Sequence, residues 1–128
     1  MMVDLTKESV WKWKVLIVDD HPDGRELATF VLQSFGADVR SATNGVDGLN
    51  VMKAFSPTFV LLDLSMPVMD GWDMLKAIRA DTGMTRTPVI ALTAHAMRGD
   101  EARALEAGFD HYISKPFSVA TFIDDLLR

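Results

Sequence analysis

The sequence predicts an α/β domain, a doubly wound (βα)5 unit whose five parallel strands form one sheet with helices on both faces. Three observations carry that reading. The apolar runs Val15–Val18, Phe59–Leu62 and Val89–Leu92 lack polar alternation, which marks strands buried on both sides. Between them lie segments whose apolar residues recur at helical spacing, opened or closed by Gly, Pro and Asn. The length of 128 residues suits a single domain with one core.

Residues 1–13 form a lead-in segment: a polar start, then Trp11-Lys12-Trp13-Lys14. That alternation resembles a stacking-plus-charge surface for single-stranded nucleic acid, but the acidic total charge favours rings that cover an edge of the core. The domain proper is expected over residues 14–128. Its first strand, Val15–Val18, ends in Asp19-Asp20, and Pro22 suits the first turn of a helix with Asp20 or His21 near the cap. Leu27, Phe30, Val31 and Ser34 are expected on the inner stripe of that helix, and Gly36 stops it. Ala37–Ala42 is less apolar and partly alternating, as an edge strand should be.

Asn44-Gly45 opens the second helix, with Val46, Leu49 and Met52 expected inward. Phe59–Leu62 is the central strand and ends in Asp63, and Asp70 caps a third helix that turns Leu75 and Ile78 inward. Val89–Leu92 ends in Thr93; the helix after it should bury Ala102 and Leu105 and stop at Gly108. His111–Ser114 is a short strand leading to Lys115-Pro116, and Ser118 caps a last helix with Phe122, Ile123 and Leu126 on one side. The three most apolar strands belong in the centre and the two weaker ones at the edges. That fits the flavodoxin-like strand order 2-1-3-4-5, in which ligands bind at the carboxyl ends of strands one and three.

Composition narrows the function classes. The chain is 48% hydrophobic and 24% charged, as in ordinary globular domains. No apolar run approaches the ~20 residues of a membrane span, and the polar start is no signal peptide. The absence of cysteine removes disulfides and thiolate metal sites and suits a reducing, cytoplasmic interior. A net charge of −5 argues against direct nucleic-acid binding.

The strand ends carry the chemistry. Strand one offers Asp19 and Asp20, strand three Asp63, strand four Thr93 and strand five Lys115. Each has a plain explanation alone: a helix cap, a strand-end hydroxyl, a solvated cation. Together at one end of a sheet they are hard to explain that way. Three converging carboxylates repel one another, and Mg²⁺ with Lys115 would balance their charge. Asp63, in the middle, can act as a nucleophile on phosphorus and become an acyl phosphate. Thr93 and Lys115 would meet the phosphoryl oxygens, and the small Ala94 leaves room for them.

Asp19-Asp20, Asp63 with Met66-Pro67 and Asp70-Gly71, Thr93-Ala94 and Lys115-Pro116-Phe117 resemble the receiver domain of two-component response regulators, over residues 14 to 127. The resemblance implies that Asp63 takes a phosphoryl group from a phosphohistidine on a sensor histidine kinase or phosphotransfer protein. It implies Asp19, Asp20, Asp63 and the Ser65 backbone carbonyl as Mg²⁺ ligands, Thr93 and Lys115 as phosphate contacts, and Tyr112 as the switch aromatic. It also implies a cis Lys115–Pro116 bond. Thr93 pulled toward the phosphate would free space for Tyr112, reshaping the surface of the fourth helix, fifth strand and fifth helix for a downstream protein target.

Ser65 and His95 stand two residues beyond Asp63 and Thr93, where side chains border the phosphoryl group; His21, just after the acid pair, suggests a metal ligand but reads better as a surface or capping residue, and Met66, Met69 and Met74 read as packing. Three rival readings compete with this one. An aspartyl-nucleophile phosphatase of the haloacid-dehalogenase type would have a cap and an Asp-x-Asp pattern, whereas Ser65 stands there. A flavin carrier would not place Asp19-Asp20 where the flavin phosphate binds. A receiver-like interaction module that never accepts phosphate would not need all five groups. The expectation is a phosphorylatable signalling domain, not an enzyme that turns over a substrate.

Overall fold

The computed structural model describes residues 12–64, 66, 69–93 and 100–114. Its elements run β1 (Lys14–Val18), α1 (Pro22–Ser34), β2 (Asp38–Ala42), α2 (Gly45–Phe55), β3 (Phe59–Asp63), α3 (Gly71–Ala80), β4 (Val89–Thr93), α4 (Asp100–Ala107) and β5 (His111–Ser114). The strands are parallel and ordered β2-β1-β3-β4-β5, as expected. The last expected helix, from Ser118, lies outside the described residues.

Burial follows from sheet position. All of β3 and β4 is buried, and β1 is buried after its first residue. The edge strands β2 and β5 are largely exposed or half-buried, so their weaker apolar character matches where they sit. Side chains alternate across the sheet into two clusters. One joins Val15, Ile17, Leu61 and Leu92 to Ala28, Val31 and Leu32 of α1. The other joins Leu16, Val18, Leu62 and Ala91 to Met52 of α2, Met74, Leu75 and Ile78 of α3, and Ala104 of α4. Helices therefore cover both faces. Trp13 is 2% exposed and packs edge-on against Phe59 at 5.1 Å, covering the end of the first cluster.

The caps agree with the sequence at three ends. Asn44 accepts from the Asp47 backbone N–H and Asp70 from that of Asp73. Gly36, at φ 95°, takes the left-handed conformation that turns the chain out of α1.

Three helices match expectation only in part: Leu27, Val31, Leu49 and Met52 face the core as expected, and other positions do not. In α1 the buried residues are Ala28, Val31 and Leu32, while Phe30 is 64% exposed and Ser34 is exposed. In α2 the buried positions are Gly45, Gly48, Met52 and Phe55, and Val46 faces out. The physical reason is close approach: a Cβ on Gly48 would stand 2.8 Å from Met74 Cε and 3.0 Å from Val18 Cγ2. Glycine is inward because α2 packs too near its neighbours for a side chain, and hydropathy carries no trace of it. In α4, Ala104 is buried, whereas Ala102 and Leu105 are exposed. A single small residue lets that helix sit close to the sheet.

Candidate functional site

The site begins with register. In the β1–β3 pairing Val15 lies opposite Phe59 and Val18 opposite Leu62, so one step further Asp19 comes opposite Asp63. Neighbouring strands lie roughly 4.8 Å apart, and the two carboxylates continue the same side of the sheet. Both are buried, Asp19 fully and Asp63 at 2% exposure. Two acids held that close in a dry setting need positive charge or hydrogen-bond donors.

His21 supplies part of that. Its backbone N–H donates to Asp19 Oδ1 at 2.9 Å. Its ring Nδ1 stands 3.3 Å from Asp19 Oδ1, 3.2 Å from Asp63 Oδ2 and 3.0 Å from Asp20 Oδ1. The Asp20 contact lacks hydrogen-bond alignment: Asp20 Oδ1 is buried and has no hydrogen-bond partner. Arg25, one turn into α1, donates from Nη1 to the Asp19 backbone carbonyl at 3.0 Å. The amino end of α1 also faces the acids, a favourable placement for negative charge.

Gly71 sets the floor of the site. Its N–H donates to the Leu64 carbonyl at 3.2 Å. A Cβ at Gly71 would overlap the Asp63 carbonyl oxygen and stand 2.8 Å from Leu64 Cα. The glycine that follows the Asp70 cap therefore lets α3 begin directly against the backbone that carries Asp63.

Thr93 ends β4 at 5% exposure; its neighbour Leu92 pairs with Asp63, which puts the hydroxyl-bearing residue at the same sheet end. Tyr112 pairs with Ala91 on β5, half-buried against the second cluster. Ser65, Ala94, His95, Lys115 and the Lys115–Pro116 bond lie outside the described residues.

The donor set fits a divalent cation. One ligand atom each from Asp19, Asp20, His21 and Asp63 all lie within 4.8 Å of one another. The buried, unsatisfied Asp20 Oδ1 is the kind of oxygen such an ion would engage. The sequence points to the three acids and ranks His21 as a metal ligand behind its reading as a surface or capping group. His21 does occupy the cap position of α1 and its side chain is 61% exposed, but it makes no cap hydrogen bond. Its place directly after an acid pair is the signal that raises the ligand reading.

Among the described residues no helix is long and apolar enough to cross a membrane. Residues 15–126 match the model of the response regulator receiver domain. The chain is 40% identical over 116 residues to the sensor histidine kinase RcsC of Salmonella typhimurium, covering 91% of this chain but only 12% of RcsC. It is 34% identical over 112 residues to the polar-differentiation response regulator DivK of Brucella anthropi, covering 88% of this chain and 91% of DivK. Among solved structures, the receiver domain of the sensor histidine kinase PA1611 from Pseudomonas aeruginosa PAO1 superposes with a TM-score of 0.79 at 32% identity, over 89% of this chain and 93% of that one. That structure holds a magnesium ion coordinated in its active site cleft. With the order of the sheet and the acids at its carboxyl end already in place, these matches decide the family: the chain belongs to the response regulator receiver domains, the signalling modules of two-component systems.

Proposed function

We propose that the chain is a phosphoacceptor, in which Asp63 takes a phosphoryl group from a phosphohistidine on a sensor histidine kinase or histidine phosphotransfer protein. Asp19, Asp20, Asp63 and the Ser65 backbone carbonyl hold Mg²⁺. The ion, when bound, supplies positive charge where the phosphoryl oxygens gather. An Asp63 oxygen attacks phosphorus, and the new O–P bond forms as the histidine N–P bond breaks. The departing nitrogen keeps the electron pair and takes up a proton from water. Thr93 donates its hydroxyl, and Lys115 its ammonium, to the remaining phosphoryl oxygens.

The observation that carries this reading is the burial of Asp63 with its Oδ2 turned into a cluster shared with Asp19 and Asp20. A carboxylate is costly to bury. Its position at the central strand end is explained by a charge that arrives with function. Phosphorylation adds nearly two negative charges there. Thr93 moves toward them, Tyr112 turns into the space released, and the surface of α4, β5 and the helix after it changes for a downstream protein. The functional unit is residues 14–128, with 1–13 as a lead-in whose Trp13 packs on the core. It works in the cytoplasm by protein–protein contact, without direct binding to nucleic acid or membrane.

Acetyl phosphate with Mg²⁺, read by intact mass, tests the reading. The wild type should gain ~80 Da, one phosphoryl group, and Asp63→Asn should gain none. A wild type that stays unmodified would favour an interaction module instead. Turnover of a small phosphate ester would favour a phosphatase.

A further inference from the structure

His21 is the cap residue of α1, where a polar side chain ordinarily accepts a hydrogen bond from a backbone N–H in the first turn. Its ring makes no such bond. It turns back toward the acids and brings Nδ1 to 3.0, 3.2 and 3.3 Å from one oxygen each of Asp20, Asp63 and Asp19. Around a six-coordinate ion with bonds of about 2.1 Å, adjacent donors stand about 3 Å apart. Nδ1 therefore stands at adjacent-donor spacing from each of three carboxylate oxygens, one of them an Asp20 oxygen that is buried and without a hydrogen-bond partner, and the four atoms, within 4.8 Å of one another, draw together slightly to share one ion.

We propose that His21 is a fifth protein donor to the cation site, beside the three carboxylates and the Ser65 carbonyl, giving it a mixed nitrogen–oxygen set that favours first-row transition divalent ions over Mg²⁺. This rests on the reading of Asp19, Asp20 and Asp63 as a divalent-cation site. Carboxylate oxygens serve Mg²⁺ well, whereas an imidazole nitrogen adds little for Mg²⁺ and much for Ni²⁺ or Co²⁺. The ring coordinates through the Nδ1 lone pair, so the proton that Nδ1 shares with the carboxylates in the metal-free site leaves to Nε2 or to water as the ion binds. The side chain is 61% exposed, so removing it leaves the core intact.

Titration calorimetry with Ni²⁺ and with Mg²⁺, on wild type, His21→Ala and His21→Gln, measures the preference. In both variants the ratio of Ni²⁺ to Mg²⁺ affinity should fall by about tenfold or more. Pulsed electron paramagnetic resonance of bound Mn²⁺ should show a nitrogen hyperfine coupling in the wild type that disappears in His21→Ala. Thermal unfolding of the metal-free variants checks that they are folded. An unchanged ratio, a nitrogen coupling that survives in His21→Ala, or a rise in Mg²⁺ affinity on removing the ring would each overturn the assignment; the last would make the ring a competitor of the ion. If the wild type binds Mg²⁺ and accepts phosphate from acetyl phosphate but shows no nitrogen coupling, only the role of His21 fails. If it binds none of these cations and Asp63 stays unmodified, the phosphoacceptor reading fails with it.

Discussion

At the amino ends of β4 and β5, the guanidinium of Arg79 is held on every side. Its Nη1 donates to the Thr85 and Thr87 carbonyls, at 3.0 and 2.7 Å, and its Nη2 to the Gly108 carbonyl and the Asp110 carboxylate, at 2.9 and 2.8 Å. Asp110 in turn accepts from the Val89 N–H at 2.8 Å. At the carboxyl ends of β1 and β3 the pattern is reversed. Three acids share a small volume, two of them are buried, and a buried oxygen of Asp20 has no hydrogen-bond partner. One end uses a charge to tie α3, the loop before β4 and the loop before β5 together. The other crowds three carboxylates beside His21, where an added positive charge is expected to stabilise the fold further.

That contrast gives opposite signs to deletions at the two ends. The largest effect is expected at Arg79. Arg79→Ala should lower unfolding free energy by about 3 kcal/mol, because it strands three carbonyls and the partner of the Val89 N–H at once. Arg79→Lys keeps the charge but has a single nitrogen, and should recover less than half. Since Asp110 is half-exposed, the ion pair is screened and most of the loss comes from the carbonyl bonds. The deficit should therefore persist at about 1 M salt, where exposed charges are shielded. Urea unfolding at low and high salt measures both, and a deficit that vanishes with salt would mean that the charge pair was the main tie.

At the other end, Asp63→Asn should raise stability, by about 1 kcal/mol in chelator, because it removes one of two facing buried charges and keeps the shape. Mg²⁺ should then reverse the order. At about a hundredfold its dissociation constant it stabilises the wild type by ~2.7 kcal/mol, and the variant, lacking a ligand charge, by less. An Asn variant that is already less stable in chelator would place Asp63 in a satisfied network like that of Arg79, and the contrast between the two ends would collapse.

The unequal legibility of the sequence has the same root. Strands β1, β3 and β4 stand out because a strand buried on both faces must be apolar throughout, and Asp19 and Asp63 stand out because they interrupt that pattern at matched registers. The inward faces of α2 and α4 were hidden because Gly45, Gly48 and Ala104 fill them, and close packing of small residues leaves no hydrophobic signature. His21 is half legible, for a different reason. Whether its ring caps α1 or turns toward Asp63 depends on the geometry of the turn, which residue type does not encode.

The smallest effect tests the phase of α1, where sequence and structure part most visibly. Phe30 is the bulkiest apolar residue on that helix and was expected inward, yet it is 64% exposed, while its neighbour Val31 is 1% exposed. The strand contacts of α1 are made by Ala28, Val31 and Leu32, so Phe30 has little buried area to lose. Phe30→Ser should change unfolding free energy by less than about 0.5 kcal/mol. Val31→Ala, which empties space against the first cluster, should cost roughly 2 kcal/mol. The two substitutions, one residue apart and both reductions in size, isolate orientation from residue type. Comparable losses from both would mean that α1 is rotated, and a rotated α1 would also carry His21 and Arg25 away from the Asp19–Asp63 pair.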